Sequence, residues 1–188
     1  MLPDQVYSPA EDSELLLREA LAEVRPDDRV LEVGTGSGYV AAGLLSRAAA
    51  VVATDINPHA VRCARARGVE TIRTDLFAGL CSPFDLILFN PPYLPTAPEE
   101  RMDDWLEYAL DGGPTGRTTI ERFVADAGRV LSPFGRVLLL VSSLTGPGEV
   151  RELFARAGFV SFVIDTKAIE GETLYVLRAM RDLCRMGA

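Results

Sequence analysis

Five short apolar segments follow one another between residues 29 and 143, and helical patterns separate most of them. Each segment is bounded by turn or capping residues and is too short for a typical helix, which is how buried strands look in a sequence. The fourth segment is apolar almost throughout, as expected of a strand that is covered on both faces. This alternation predicts an α/β sheet whose strands are parallel at first. The predicted strands are residues 29–33, 50–55, 69–75, 84–90 and 135–143.

The end of the chain is predicted to add two further strands. Residues 160–181 contain two apolar stretches joined by a turn near Glu170 and Gly171, which is the pattern of a hairpin. One strand of this hairpin would run antiparallel to the rest of the sheet. With 188 residues and a hydrophobic content of 48%, the chain can form one domain with a complete core.

Residues 1–188 are therefore interpreted as a single domain with two regions outside the regular alternation. Residues 1–28 contain a polar segment and a helix, and residues 91–117 form a long insert rich in proline and glycine. Long loops inside a compact domain are often functional. We expect the first region to cover a bound cofactor and the second to bind a substrate.

The composition argues against several classes of protein. The formal net charge is −8 and no basic run is present, which counts against direct binding of long DNA or RNA. No apolar run reaches the length of a membrane span. Cys63, Cys81 and Cys184 form no Cys-x-x-Cys pair, so we predict reduced thiols in a cytoplasmic protein and no metal site. Lys167 is the only lysine beside many arginines, a bias that a high-GC genome, a salt-adapted proteome or both would give, and it favours a halophilic or other archaeal source.

A glycine-rich loop follows the first predicted strand, at the place where open α/β sheets bind ligands. Gly34, Gly36 and Gly38 permit a tight turn and a close approach of the backbone to a ligand. The dinucleotide pattern requires its third glycine where Tyr39 stands, which argues against NAD or FAD. With Glu32 in front of the loop, the pattern is instead typical of an S-adenosylmethionine site.

Two acids end the next two predicted strands, at the same edge of the sheet. Asp55 can accept hydrogen bonds from both hydroxyls of a ribose. Asp75 can accept one from an adenine amino group, with Leu76 against the ring. Either acid alone could be a helix cap or an ordinary loop residue. Their order after the glycine loop predicts a nucleoside site.

The fourth predicted strand ends in Asn-Pro-Pro-Tyr, at residues 90–93. Prolines fix the backbone and restrict the residue before them, so the motif is either a simple strand end or a rigid binding element. Its position beside the predicted nucleoside site favours the second interpretation.

The glycine loop, the two acids and the Asn-Pro-Pro-Tyr motif together resemble the Rossmann-like class I S-adenosylmethionine-dependent methyltransferases. Among these enzymes the motif occurs in DNA adenine N6-methyltransferases, in some RNA guanine and adenine N-methyltransferases, and in HemK-like protein-glutamine N5-methyltransferases. Residues 6–17 and 111–117 resemble the short archaeal and eukaryotic HemK-like enzymes, which methylate the class I release factor. Bacterial relatives carry an extra N-terminal helical domain, for which we expect no room in this chain.

The resemblance implies a doubly wound, seven-stranded, mostly parallel sheet in the order 3-2-1-4-5-7-6, with strand 7 antiparallel. It implies S-adenosyl-L-methionine as cofactor, S-adenosyl-L-homocysteine as product, and methylation of the GGQ glutamine on its side-chain nitrogen. A nucleic-acid adenine or guanine N-methyltransferase and a protein lysine methyltransferase stay open as alternatives. The expected cofactor-binding residues are Tyr7, Pro9, Ser13, Glu32, Gly34, Thr35, Gly36, Gly38, Asp55, Ile56, Asp75, Leu76 and Asn90.

An amide nitrogen is a poor nucleophile because its lone pair is delocalised into the carbonyl. The side-chain oxygen of Asn90 would accept a hydrogen bond from one N–H group of the substrate amide. As the resemblance implies, the carbonyl of Pro91 would accept one from the other N–H group. Tyr93 would pack against the planar amide, which makes Asn90, Pro91 and Tyr93 the expected catalytic residues. The expected substrate-binding residues are these three and Pro92.

The third strand lies at an edge of the sheet in the implied order. An exposed strand edge can pair with another chain. Enzymes of this type need a small zinc-binding activator protein, so the resemblance implies a heterodimer formed along this edge.

Overall fold

The computed structural model describes residues 3–96 and 104–184, and a seven-stranded sheet forms its centre. Among these residues, no helix is long and apolar enough to cross a membrane. The strands are β1 (Arg29–Val33), β2 (Ala50–Asp55), β3 (Glu70–Arg73), β4 (Phe84–Phe89), β5 (Leu131–Ser142), β6 (Phe159–Ile169) and β7 (Glu172–Arg181). The helices are α1 (Glu11–Glu23), α2 (Tyr39–Leu44), α3 (Pro58–Ala66), α4 (Trp105–Tyr108), α5 (Thr118–Val130) and α6 (Pro147–Arg156).

The strand order is β3-β2-β1-β4-β5-β7-β6, which confirms the expected order. β7 is antiparallel to β5 and to β6, whereas the pairs among β1 to β5 are parallel. Parallel pairing aligns the carboxyl ends, so that Val33 of β1 is in register with Thr54 of β2 and with Phe89 of β4. The glycine loop, Asp55 and Asn90 come directly after these positions and therefore meet at one edge of the sheet.

Each face of the sheet is covered by helices and carries its own apolar core. On one face Leu16 of α1 and Leu44 of α2 pack with the strands, and on the other face Phe154 of α6 does so. In α5 the buried positions recur every three or four residues, as expected for a helix with one face on a core. They are Ile120, Phe123, Val124, Ala127 and Val130.

Residues in the sequence that cap helices or form turns predict the ends of some helices and strands accurately and the ends of others inaccurately. α3 begins with Pro58, and the side chain of Asn57 accepts a hydrogen bond from the His59 N–H at 2.8 Å, as its N-cap sequence indicates. β5 starts at Leu131, earlier than the predicted residue 135, because Leu131 already pairs with Phe84 ahead of a register shift.

A buried ion pair joins the end of α1 to the sheet, at the edge opposite the glycine loop. The Arg136 guanidinium donates to both carboxylate oxygens of Asp28, at 2.6 and 3.1 Å. It also donates to the backbone carbonyls of Glu23 and Asp85. Burial alone would raise the pKa of Asp28, but the hydrogen bonds from Arg136 and from the Arg25 amide outweigh it and lower that pKa.

Candidate active site

A cavity of about 690 Å³ opens at the carboxyl ends of β1, β2 and β4, and this volume is typical of small-molecule sites. The N-terminal segment, the glycine loop and part of the 91–117 insert complete its wall. Residues 97–103 of that insert lie outside the described residues. The predicted site residues in the wall are Tyr7, Pro9, Ser13, Glu32, Gly34, Thr35, Gly36, Asp55, Ile56, Asp75, Leu76, Asn90, Pro91, Pro92 and Tyr93.

The glycines of the loop have different roles. Gly38 is a predicted cofactor residue that does not line the cavity. A Cβ there would lie 2.6 Å from the Cα of Ala64, so Gly38 allows the loop to pack closely against α3. Gly36 has a φ of 55°, and a Cβ there would meet no atom within 4 Å. The backbone at Gly36 therefore leaves open space beside it for a ligand.

Glu32 is buried behind the loop and holds its shape. Its carboxylate accepts hydrogen bonds from the Thr35 hydroxyl and from the Ala41 N–H, the latter at 3.0 Å. Burial raises the pKa of Glu32 to about 7, although both donors act in the opposite direction. Glu32 and Thr35 thus support the loop from within the protein.

Asp55 connects the ends of β1 and β2. Its Oδ2 accepts a hydrogen bond from the Gly36 N–H and its Oδ1 accepts one from the Asn57 N–H, each at 2.8 Å. Burial raises the pKa of Asp55, against the effect of these backbone donors. A carboxylate can accept about four hydrogen bonds, so Asp55 can still accept from the hydroxyls of a ligand.

Asp75 lies at a more exposed part of the wall and is paired with Arg122 of α5. The two side chains are 2.6 Å apart and are 45% and 55% exposed, so water screens the pair. Leu76 follows with a φ of 47°, a left-handed conformation that is uncommon outside glycine and often found at functional sites.

A buried carboxylate sets the orientation of Asn90. Asp12 of α1 accepts a hydrogen bond from Asn90 Nδ2 at 2.9 Å, and it also accepts from the backbone N–H of Ser13 at 2.6 Å. The Oδ1 of Asn90 is buried and has no hydrogen-bond partner among the described residues. Buried acceptors are nearly always paired, so this oxygen indicates a place for the donor of a ligand.

Tyr93 is held by a second carboxylate. Its hydroxyl donates to Glu172 Oε1 at 3.4 Å, and the Ser142 hydroxyl donates to the other oxygen of Glu172. Burial, together with Glu172 and Asp12, raises the pKa of Tyr93 well above its usual value. Burial and Asp12 have the same effect on the pKa of Tyr7. Both phenols therefore keep their protons at neutral pH.

The described part of the insert folds back beside the motif. The Leu94 N–H donates to the Leu110 carbonyl at 3.0 Å, and the Gly112 N–H donates to the Leu94 carbonyl at 2.9 Å. The Trp105 N–H donates to the Gln5 side chain at 3.2 Å, which ties α4 to the N-terminal segment. One side of the cavity is therefore built jointly by the insert and the N-terminal segment.

Asp12, Arg122 and Glu172 each contact a predicted site residue and were missed by the sequence analysis. Asp12 stands among several acids at the start of α1, where a preference for acids near helix N-termini explains them equally well. Its partner Asn90 is 78 positions away, and 79 positions separate Tyr93 from Glu172. Spacing within one sequence carries no signal for such contacts.

Comparison with protein families decides the affiliation of the chain. The family model of the methyltransferase small domain matches residues 6–103. The chain belongs to the methyltransferase small domain family. A putative protein N5-glutamine methyltransferase from Methanocaldococcus jannaschii is 38% identical over 96% of this chain and 94% of its own length. The human methyltransferase HEMK2 is 37% identical over 92% of this chain and 88% of its own length.

A solved structure shows the same relationship in three dimensions. The Mtq2-Trm112 complex of E. cuniculi, described as responsible for methylation of the eRF1 translation termination factor, contains a chain with a TM-score of 0.79 to this one. The two are 31% identical, and the match covers 94% of this chain and 99% of the other. The methyltransferase fold therefore extends over nearly the whole chain.

Membership of this family implies that S-adenosylmethionine is the methyl donor, and the residues of the methyltransferase cavity fit such a ligand. Gly36 leaves open space for an approaching group, and Asp55 retains acceptor capacity for hydroxyls. The Asn90 oxygen that has no partner within residues 3–96 and 104–184 lies in the same wall. The cavity thus combines groups suited to a nucleoside with an acceptor oxygen that has no hydrogen-bond partner among the described residues.

Proposed function

We propose that this methyltransferase methylates the side-chain amide nitrogen of the GGQ glutamine in a class I translation release factor, with S-adenosyl-L-methionine as donor. The observation that carries the proposal is the buried Oδ1 of Asn90, which has no hydrogen-bond partner in the described part of the chain and whose amide nitrogen is held by Asp12. An acceptor oriented in this way suits the N–H group of a carboxamide. The relatives named for N5-glutamine methylation and for methylation of eRF1 support the same substrate.

The cofactor would bind along the carboxyl edge of the sheet. The backbone at Gly34 and Gly36 would receive its amino-acid end, while Asp55 would accept hydrogen bonds from the ribose hydroxyls. Asp75 and Leu76 would contact the adenine. Within a single domain of residues 1–188, the N-terminal region would cover the cofactor.

Asn90 and Pro91 would hold the target nitrogen. One N–H group would donate to Asn90 Oδ1 and the other to the carbonyl of Pro91. These two contacts fix the plane of the amide and favour the more tetrahedral nitrogen that an attack requires. Positioning of this kind can contribute about 7–11 kcal/mol to lowering a barrier.

Tyr93 would cover the face of the target amide and exclude water from it. Glu172 fixes the phenol, and Ser142 fixes Glu172 in turn. Because its pKa is raised, the phenol stays protonated and does not act as a base.

The reaction requires no strong base before the transfer, since bound S-adenosylmethionine supplies a methyl group that is already activated on a positively charged sulfur. As positive charge develops on the target nitrogen, the oxygens of Asn90 and Pro91 stabilise its N–H groups. One of these protons would then be released to solvent as the methylated glutamine leaves the cavity.

We further propose that a small zinc-binding activator protein forms a heterodimer with the chain along β3. β3 is an edge strand, and Ile72 on it is 39% exposed. The related Mtq2 chain was solved in complex with Trm112. Since release factors act during translation, we place the reaction in the cytoplasm.

The proposal is tested by incubating the full chain, with and without the activator, with methyl-labelled S-adenosylmethionine and either a release factor or nucleic acid. Mass spectrometry should locate the new methyl group on the GGQ glutamine, and Asn90→Ala should abolish it. Label confined to nucleic acid, or to lysine side chains, would instead favour one of the alternatives left open by the sequence.

A further inference from the structure

The carboxylate of Glu107 in α4 lies in the cavity wall and has no partner among the described residues. Both of its oxygens are buried, and neither has a hydrogen-bond partner within residues 3–96 and 104–184. Buried polar groups are paired in nearly all folded proteins, and a charged group is the most unfavourable to leave alone. An unpaired carboxylate in the wall of a ligand cavity therefore indicates a donor that arrives with the ligand.

Glu107 is not the only cavity residue with a buried side-chain atom that has no hydrogen-bond partner among the described residues, because Asn90 has one too. Several residues in the described part of the chain have a buried, unpartnered side-chain atom, and three of them line the cavity: Thr54, Asn90 and Glu107. Asn90 contributes the oxygen proposed to accept from the target nitrogen. Glu107 contributes a full negative charge and two oxygens, which suits two N–H donors.

Glu107 belongs to the substrate side of the cavity. Its backbone carbonyl accepts hydrogen bonds from the N–H groups of Leu110 and Asp111, each at 2.8 Å. Leu110 in turn accepts from Leu94, the residue that follows Tyr93. The glycine loop, in contrast, follows β1, and Asp55 ends β2. A polypeptide whose glutamine lies against Tyr93 would continue past the part of the wall that contains Glu107.

We propose that the Glu107 carboxylate binds N–H groups of the release factor segment that flanks the methylated glutamine. The inference rests on the proposed function and adds a specificity-determining residue to it. The two glycines before the glutamine have no side chains, so their neighbouring backbone N–H groups can approach one carboxylate closely. A basic side chain in the same segment has the same N–H chemistry, and the experiment below separates these two sources.

Glu107→Gln preserves the shape of the side chain and removes its charge. With the full chain, in complex with its activator, and saturating S-adenosylmethionine, we expect the KM for the release factor to rise roughly tenfold, as for one lost charge-assisted contact. The kcat and the Kd of the cofactor should stay unchanged. Glu152→Gln is the matched control, because Glu152 is 70% exposed on α6 and should leave all three values unaltered.

Three results would reject the inference. The first is an unchanged KM together with an unchanged cofactor Kd in Glu107→Gln. The second is an unchanged KM with a weaker cofactor Kd, which would assign Glu107 to the cofactor. The third is a lower Tm, because removal of an unpaired buried charge should leave the Tm equal or higher, whereas a structural role would reduce it. If the wild-type chain leaves the glutamine unmethylated, the proposed function itself fails, and the inference fails with it.

Release factor variants identify the donor. If a basic side chain binds Glu107, its replacement by alanine should abolish the KM difference between wild type and Glu107→Gln. If the backbone is the donor, this difference should persist in every such variant. It should then shrink for a peptide substrate in which an ester replaces the amide of a glycine beside the glutamine.

Discussion

The side-chain amide of Asn90 can present either its oxygen or its nitrogen to the cavity, and Asp12 decides between them. Asp12→Ala removes the acceptor that holds the nitrogen, so we expect kcat to fall roughly 100-fold, as for the loss of one oriented contact to the reacting group. Asp12→Asn retains an oxygen that can accept from Asn90 and should recover most of this loss. Steady-state kinetics with release factor measures both variants.

Glu14→Ala is the control for Asp12, because Glu14 lies in the same turn of α1 but is exposed. It should leave kcat unchanged. Equal losses in Asp12→Ala and Asp12→Asn would contradict a role in orienting Asn90, since only the alanine variant lacks the accepting oxygen.

Glu32 predicts a specific dependence of stability on pH. Its pKa is raised from 4.5 to about 7 in the folded chain, so its favourable contribution is complete below pH 4.5 and is lost as the pH rises through 7. Relative to Glu32→Gln, the free energy of unfolding of the wild type should fall by roughly 2–3 kcal/mol between pH 4.5 and pH 8. Urea unfolding of both proteins at several pH values tests this, and a constant difference would show that burial does not shift this pKa.

Residues on strand ends were predictable because their neighbours in sequence carry the signal. Gly36, Asp55 and Asn90 each follow an apolar segment, and parallel pairing places such ends side by side. Asp12 and Glu107 carried no such signal, because their roles depend on contacts and burial that arise only when distant segments pack. Sequence reasoning thus reached residues that line the cavity at the strand ends, but it did not reach Asp12 and Glu107.

At the scale of elements, Arg136 links β5 to the end of α1, to Asp28 and to β4. Arg136→Met would leave Asp28 buried without its partner, and breaking a buried pair in this way costs about 3–5 kcal/mol of unfolding free energy. The exposed pair of Arg156 and Glu152 gives the control, since Arg156→Ala should cost less than about 1 kcal/mol. Urea unfolding at pH 7 compares the variants.

The dependence of stability on acid pH distinguishes the contribution of this ion pair from the contribution of packing. In the wild type the lowered pKa of Asp28 gives stability that is lost as the pH falls through that pKa. In Arg136→Met the unpaired carboxyl would already be protonated in mild acid, so the stability gap between the two proteins should narrow as the pH falls. A gap that is independent of pH would assign the loss to packing alone.

Some helices and strands begin where neighbouring residues indicate it, and others begin where pairing with a distant strand sets the boundary. Asn57 and Pro58 mark the start of α3 in the sequence itself. The early start of β5 depends on the pairing of Leu131 with Phe84, 47 positions upstream by residue number, and the turn-like residues between 132 and 135 conceal it. Elements with local caps were therefore predicted more accurately than those extended by pairing.

For the whole molecule, the alternation of apolar segments was sufficient to predict an α/β sheet, and the family resemblance supplied its strand order. That order leaves β3 and β6 as edges. The sequence could not indicate how the insert closes the cavity, because the contacts of Leu94 with Leu110 and of Trp105 with Gln5 join loops that have no periodic pattern.

The exposed edge at β3 predicts how the whole molecule assembles. Ile72→Asp places a charge on this edge, where an apolar side chain 39% exposed would be covered by the activator, so we expect the heterodimer to be lost while the fold is retained. Phe162→Asp on the opposite edge strand β6 is the control, because Phe162 is 55% exposed there and should not affect the complex. Size-exclusion chromatography of the co-expressed proteins, with circular dichroism of each variant, measures both properties. An intact complex with Ile72→Asp, or a complex lost only with Phe162→Asp, would place the activator elsewhere on the sheet.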